Sequence, residues 1–436
     1  MQNAITVAAA GDILITKPLP QGGAGADGIA QYLSGAQVRL ANLETTITDG
    51  TRFASAYSGG TWLTADPACL RDVARYGFNV LGFANNHTMD YAYDGLSDTL
   101  RYLHGAGFLT CGAGSSLYEA SRPVTVETTG GRVGIIDLCS TFENAARAGL
   151  QTERQPGRPG LNPLRVRTVT RVTEEHAQLL RDVARHTGIN ALREEHRRQG
   201  FVAPLRPGTM ELGTSVFEIV EREADEGRYS YADERDVNRT LASIEEAKYT
   251  CQAVIVMVHS HEIKLDKEHE ADYFLEDFAR RCIDAGADAV VGSGTHQLKG
   301  IEIYRDRPIF YCLGNFMFEN AFVRLLPADY MEQYGIAPHS SAAEGIAARA
   351  RQATSSLTSR KAVYQTALPR FELRDGRCTR LELLPVSLGF DAPKWLRGIP
   401  TLAGDDETHE IAEYLNMASA PYGTQWQVRA GRIVLK

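Results

Sequence analysis

The sequence has no cysteine pair at zinc-ribbon or redox spacing, no block of like charge and no apolar run near the ~18 residues of a membrane span. Each absence excludes a class. The seven cysteines (Cys69, Cys111, Cys139, Cys251, Cys282, Cys312 and Cys378) are scattered and odd in number. That speaks against a disulfide framework and for free thiols among aliphatics, which favours a reducing compartment. The start, Met1-Gln2-Asn3-Ala4, has no basic stretch ahead of its apolar run, so no secretory signal is expected and a cytoplasmic location is the default. Net charge is −8, from 46 Lys+Arg against 54 Asp+Glu. Neither a nucleic acid nor a membrane surface is expected as a partner.

What the 436 residues do contain is 43% hydrophobic residues, enough for a large core. Short apolar runs at 4–10, 37–43, 78–83, 132–138, 253–259 and 288–293 read as buried strands. Helical patterns fall over about 67–76, 94–105, 234–250 and 270–285. Strands alternating with helices predict an α/β fold, whose site lies at the carboxyl ends of strands. Residues 301–316 read as a hairpin turning at Arg305-Asp306-Arg307, and 362–436 as two β stretches with a helix near 407–418. The rhythm lapses twice. Residues 140–250 carry turn formers at 151–163 and one long polar helical pattern over 171–199, and are expected to form a lid-like insertion. Residues 320–360 read as irregular, with a low-complexity portion, SSAAEGIAARARQATSS. The expectation is one elaborated domain: a core of 1–140 and 250–320, these two insertions, and an extension over 362–436.

The informative polar residues sit where strands end. Asp12, Glu44, Asn86, His87, His259 and His296 each fall at or just past a predicted buried strand. Oxygen and imidazole donors converging on one sheet edge are how a fold builds a cation or acid–base site.

Four segments sharpen this: Gly11-Asp12, Asn42-Leu43-Glu44, Asn85-Asn86-His87-Thr88-Met89-Asp90 and Gly314-Asn315-Phe316. With Gly157–Arg165 as a bridging match, they resemble the CapA family, named for poly-γ-glutamate capsule synthesis and related to calcineurin-like metallophosphoesterases. The resemblance covers roughly 5–140 and 250–320. It implies a four-layer α/β/β/α sandwich with helical insertions and metals between loops at one end of two packed sheets. By position it implies that Asp12 is the first metal-site aspartate, Glu44 a bridging carboxylate, Asn86 a metal-binding amide and His87 an acid. His259 and His296 match the later histidines.

The departures carry as much meaning. Leu14 stands where the phosphoesterase pattern has a histidine, and Gly292-Ser293-Gly294-Thr295 lacks another. With two imidazoles gone, one hard divalent cation is expected, calcium first and magnesium or manganese next, held by Glu44, Asn86 and His259. No organic cofactor is expected. His87 with Asp90, and Asp12 with His296, then form two acid–base pairs flanking a cation, the requirement for a two-base epimerisation. Within the family the chain is most similar to peptide epimerases of lasso-peptide pathways. That implies the C-terminal segment of a precursor peptide as partner, with Asp12, His87, Asp90 and His296 as catalytic residues. The alternative is a phosphoesterase or γ-glutamyl amide hydrolase with His87 as leaving-group acid. His261, Tyr93 and Arg158 are expected around the ligands or against substrate.

Overall fold

The computed structural model describes residues 4–20, 26–352 and 357–436. Its first strand, Ile5–Leu14, is buried on both faces. Val7 and Ala9 enter one apolar cluster, Ala8 and Ala10 another, which is the period-two division of a central strand. It runs past the predicted 4–10, so Asp12 lies inside the strand and not in a loop after it. The sheet around it runs in the order Trp426–Arg429, Arg432–Leu435, Arg377–Ser387, Gln365–Arg374, Ile5–Leu14, Val38–Leu43, Val80–Gly82, Leu109–Cys111. A short strand, Asn315–Phe318, pairs in parallel with the far end of Ile5–Leu14 and sets Asp12 opposite Asn315.

A second sheet runs Ile301–Tyr304, Arg307–Phe310, Ala289–Gly294, Ala253–Ser260, Gly131–Cys139, Val124–Thr128. Val7, Leu40 and Val80 of the first sheet share one core with Val133, Ile255, Met257 and Val291 of the second. The other face of the first sheet packs on Ile29, Leu33, Leu96 and Leu103, from the helices Ala26–Ser34 and Ala92–Gly105. Each such buried aliphatic contributes about 1.5–3 kcal/mol, and the result is a mixed α/β fold. In the first sheet Ile5–Leu14, Val38–Leu43 and Val80–Gly82 are parallel, and so are Gly131–Cys139, Ala253–Ser260 and Ala289–Gly294 in the second. Their carboxyl ends deliver Asp12, Glu44, the Asn85–Asp90 turn, His259 and His296 to the site.

Two predicted regions differ. Residues Val166–Asp233 with Asp272–Phe274 form a compact unit of their own, so the insertion is narrower than 140–250. Inside it the expected helix over 171–199 is a strand and two helices. The alternating Val-Arg-Thr-Val-Thr-Arg-Val-Thr of Val166–Thr173 is β, in a four-stranded sheet with Thr209–Leu212, Ser215–Val220 and Gly227–Ala232. Thr173 caps Glu174–Thr187, and Gly188, at φ +63°, ends that helix before Ala191–Arg198. The stretch 320–360 is not irregular either. It holds the helices Ala328–Gln333 and Ala342–Gln352. Ser341 and Glu344 form a reciprocal cap: Glu344 N donates to Ser341 Oγ at 3.3 Å and Ser341 N to Glu344 Oε2 at 2.7 Å. The last residues of the low-complexity portion, 353–356, lie outside the described residues. Tyr330 and Met331 of this segment pack with Trp62 and Tyr91, Trp62 meeting Tyr330 edge-on at 6.3 Å.

All seven cysteines are free, and six are buried. Among the described residues no helix is long and apolar enough to cross a membrane.

Glu319 supplies a stability prediction. Its Oε2 accepts from Thr16 N at 3.0 Å and Lys17 N at 3.3 Å, while the buried Oε1 has no partner. Burial pushes its carboxyl up to about 7 from an ordinary 4.5. Between those values the folded state keeps a proton that the unfolded chain has released, so stability falls as pH rises through that window. Glu319→Gln should therefore unfold later in urea than the parent at pH 8, by on the order of 2–3 kcal/mol, with no gain at pH 4.5. An identical difference at both pH values would show that Glu319 is not the group responsible.

Candidate metal and acid–base site

Close backbone approach fixes the first ligand. A side chain on Gly11 would come within 1.8 Å of the Gly314 carbonyl oxygen, and Asp12 N donates to that same oxygen at 2.9 Å. Only glycine admits this contact. Asp12 is fully buried. Its Oδ1 accepts from Asn42 Nδ2 at 2.7 Å and its Oδ2 from Gly294 N at 2.9 Å. Burial alone would raise its carboxyl. The bond and charge of His259 and the charge of His296 outweigh that and hold it well below the usual carboxylate range.

Glu44 follows the strand Val38–Leu43, its N–H donating to Ile13 O at 3.0 Å. Both its carboxylate oxygens are buried without a hydrogen-bond partner. Imidazoles surround them: His259 Nε2 at 3.6 Å, His261 Nε2 at 3.7 Å and His87 Nε2 at 3.9 Å from Oε1, and His296 Nδ1 at 3.8 Å from Oε2. Burial and the neighbouring Asp12 raise the Glu44 carboxyl. A buried carboxylate without donors is costly unless a cation meets it. Asp12, Glu44 and His259 bring ligand atoms within 4.8 Å of one another, and so do Glu44, His261 and His296. Asn86 Oδ1 stands 2.8 Å from His259 Nε2. These donors fit a divalent cation. The expected trio of Glu44, Asn86 and His259 is thus together, joined by Asp12 and by His261, whose Nε2 lies 3.0 Å from His259 Nε2. Burial pulls the His261 imidazole down to about 3, so it stays a neutral donor.

The Asn85–Asp90 turn is tied internally. Asn85 Nδ2 donates to Leu43 O at 2.8 Å, His87 N donates to Asn85 Oδ1 at 3.0 Å, and Thr88 Oγ1 donates to Phe83 O at 2.8 Å. His87 Nδ1 lies 2.7 Å from Asp90 Oδ2, which also accepts from Leu63 N at 2.8 Å. A carboxylate only accepts, so Nδ1 carries the proton and Nε2 is left for chemistry. Burial opposes charge on His87, but the charge and bond of Asp90, with Glu44, raise it overall.

His296 adopts φ +61°, a strained backbone for a side chain of its size. Its Nδ1 is 2.9 Å from Asn315 Oδ1 and 3.9 Å from Asp12 Oδ2. The expected Asp12–His296 pair is therefore an ion-pair contact, and the hydrogen bond goes to Asn315. Asn315 Nδ2 donates to His296 O and Val363 O, so its Oδ1 accepts and His296 Nδ1 is the donor. Burial lowers His296. The two imidazoles lean opposite ways, as a coupled acid and base do.

Both open onto one cavity of about 250 Å³, lined also by Asn86, His261, Gly59–Thr61, Arg349 and Arg360. Tyr93 is half exposed and Arg158 is exposed, its Nε donating to Arg147 O at 3.2 Å; neither lines the cavity. Spacing had pointed to His87 and Asp90, and the alternation His259-Ser260-His261 hinted at His261. Arg349 had no signal, since it lies in the stretch read as irregular.

Comparison with known proteins identifies the family. The family described as "Bacterial capsule synthesis protein PGA_cap" matches residues 6–320. The uncharacterized protein y4sH of Sinorhizobium fredii is 30% identical over 432 residues, 96% of this chain and 90% of that one. The probable polyglutamine synthesis accessory protein Rv0574c of Mycobacterium tuberculosis is 27% identical over 64% of this chain and 54% of its own length. The capsule biosynthesis protein CapA of Bacillus anthracis is 24% identical over 60% of this chain and 45% of its own. The chain spans about half the length of these last two.

Proposed function

The chain belongs to the PGA_cap family of bacterial capsule synthesis proteins, and on that premise we propose that it is a metal-dependent peptide epimerase, inverting the Cα of the C-terminal residue of a lasso-type ribosomal precursor peptide. The packed sheets with helices outside them support the four-layer sandwich of the calcineurin-like phosphoesterases as its architecture. One observation carries the reading: His87 and His296 line the same cavity, each with its Nδ1 proton engaged and its Nε2 available. One imidazole removes the Cα proton from one face, and the other returns a proton to the opposite face. Asp90 orients the first, and Asn315 with Asp12 orients the second. An amino-acid Cα–H is a very weak acid, and each ~1.4 kcal/mol of stabilisation is worth tenfold in rate. Asp12, Glu44, Asn86, His259 and His261 would hold one divalent cation of the calcium, magnesium or manganese class, which when bound stabilises the negative charge developing on the substrate carboxylate.

The alternative, a phosphoester or γ-glutamyl amide hydrolase, draws on the same carboxylate and histidine cluster and on the relatives' names. Incubation of the metal-loaded protein with the precursor peptide in deuterium oxide separates the two. Deuterium should enter the terminal Cα alone. No incorporation, together with turnover of bis-p-nitrophenyl phosphate, would replace the epimerase by the hydrolase.

A further inference from the structure

The cavity that holds His87 and His296 is lined by two arginines that the proposed chemistry does not use, Arg349 and Arg360. Their surroundings differ. Arg360 meets the Glu268 carboxylate, and its Nη2 donates to Gln297 Oε1 at 3.1 Å, so its charge is already compensated. Arg349 is half-buried, and its Nη1 donates to the neutral Thr61 Oγ1 at 2.5 Å. Among the described residues no carboxylate stands within ion-pair distance of it. A guanidinium that lines a cavity with only the neutral hydroxyls of Thr61 and Tyr330 beside it is short of an anion, and its planar fork matches a carboxylate.

Its placement is built. Arg349 lies on the helix Ala342–Gln352, which the Ser341–Glu344 cap begins. Ile346 of that helix packs against the cluster of Trp62, Tyr91, Tyr330 and Met331. The same loop that contributes Trp62 runs through Gly59 and Thr61 to reach Asp90: Leu63 N donates to Asp90 Oδ2, and Asn86 Nδ2 donates to Gly59 O at 3.1 Å. Arg349, Thr61 and the His87–Asp90 pair are therefore positioned by one continuous set of contacts.

We propose that Arg349, together with the cation, receives the free carboxylate of the substrate's terminal residue, holding that residue so that its Cα faces the two histidines. The assignment rests on the peptide epimerase reading and explains why a terminal residue, and not an internal one, would be the target. It makes Arg349 a specificity residue, with Thr61 as the group that orients it.

The test is binding without turnover. N-acetyl-glycyl-phenylalanine and its C-terminal amide are titrated into the metal-loaded protein by NMR, with inorganic phosphate as a competing anion. The acid should bind roughly tenfold or more tightly than the amide, as a charge-assisted pair requires. Arg349→Gln should reduce that preference to about threefold or less, Arg349→Lys should restore part of it, and Arg360→Gln should leave most of it. Thermal melts of each variant confirm folding. Equal binding of acid and amide, no measurable binding of the acid, or a preference unchanged in Arg349→Gln overturns the proposal. Phosphate that outcompetes the acid, and weakens in Arg349→Gln, overturns it in favour of a phosphoester. Deuterium exchange without acid preference leaves the epimerase standing and removes this role. Acid preference without exchange does the reverse.

Discussion

Alanine at either His87 or His296 is expected to lower inversion of the terminal Cα by about 10²–10⁴-fold, the range of a positioned acid or base. Loss at either site should be nearly complete, since inversion needs both a proton acceptor and a proton donor. His87 and His296 are each buried but reach the cavity, so the substitutions leave a small void at a surface pocket and not a hole in the core. Asp90 keeps its bond from Leu63 N after His87→Ala, and Asn315 keeps its donor bonds to His296 O and Val363 O after His296→Ala. Melting temperatures should therefore move little. Full inversion by either variant would remove that histidine from the chemistry.

Glu44→Gln should have two effects of opposite sign. In the chelator-treated protein, Glu44 is a buried carboxylate with no donor and with Asp12 beside it. Neutralising it relieves burial and repulsion, so the chelated variant should melt above the chelated parent. Added calcium or manganese should raise the parent's melting temperature, by an amount equivalent to about 2.7 kcal/mol at a hundredfold excess over Kd. The variant should show no such rise. Elemental analysis should find one ion per chain in the parent and none in Glu44→Gln. Two tightly held ions in the parent would overturn the single-cation reading.

Much of this site was legible before the fold was known, because parallel strands place their carboxyl ends on one edge and the polar residues there stand out against apolar runs. Asp12, Glu44, Asn86, His87, His259 and His296 stood out that way, and Asp90 by its spacing from His87. Three things were hidden. The strand Val166–Thr173 alternates valine with arginine and threonine, and its polar content blended into the helix that follows. Sheet pairing decided that segment, not local composition. The helix Ala342–Gln352 looked like low complexity because alanine dominates it, although alanine favours helix and Ser341–Glu344 marks its start. Missing that helix meant missing Arg349. The hydrogen bond from His296 to Asn315 in place of Asp12 depends on a difference of about an ångström between two separations, which no spacing in the sequence records.

The contact of Gly11 with the Gly314 carbonyl has a consequence for how such a protein can diversify. The side of the cavity next to Asp12 and Asn315 is locked by main-chain atoms, so a side chain at Gly11 would wedge those two residues apart. The side of the cavity that carries Arg349 is fastened by exchangeable side chains, Trp62 against Tyr330 and Thr61 against Arg349. On the proposed reading, new substrates can be accommodated by changing those few side chains while Asp12, Glu44 and the two histidines stay where the backbone has put them.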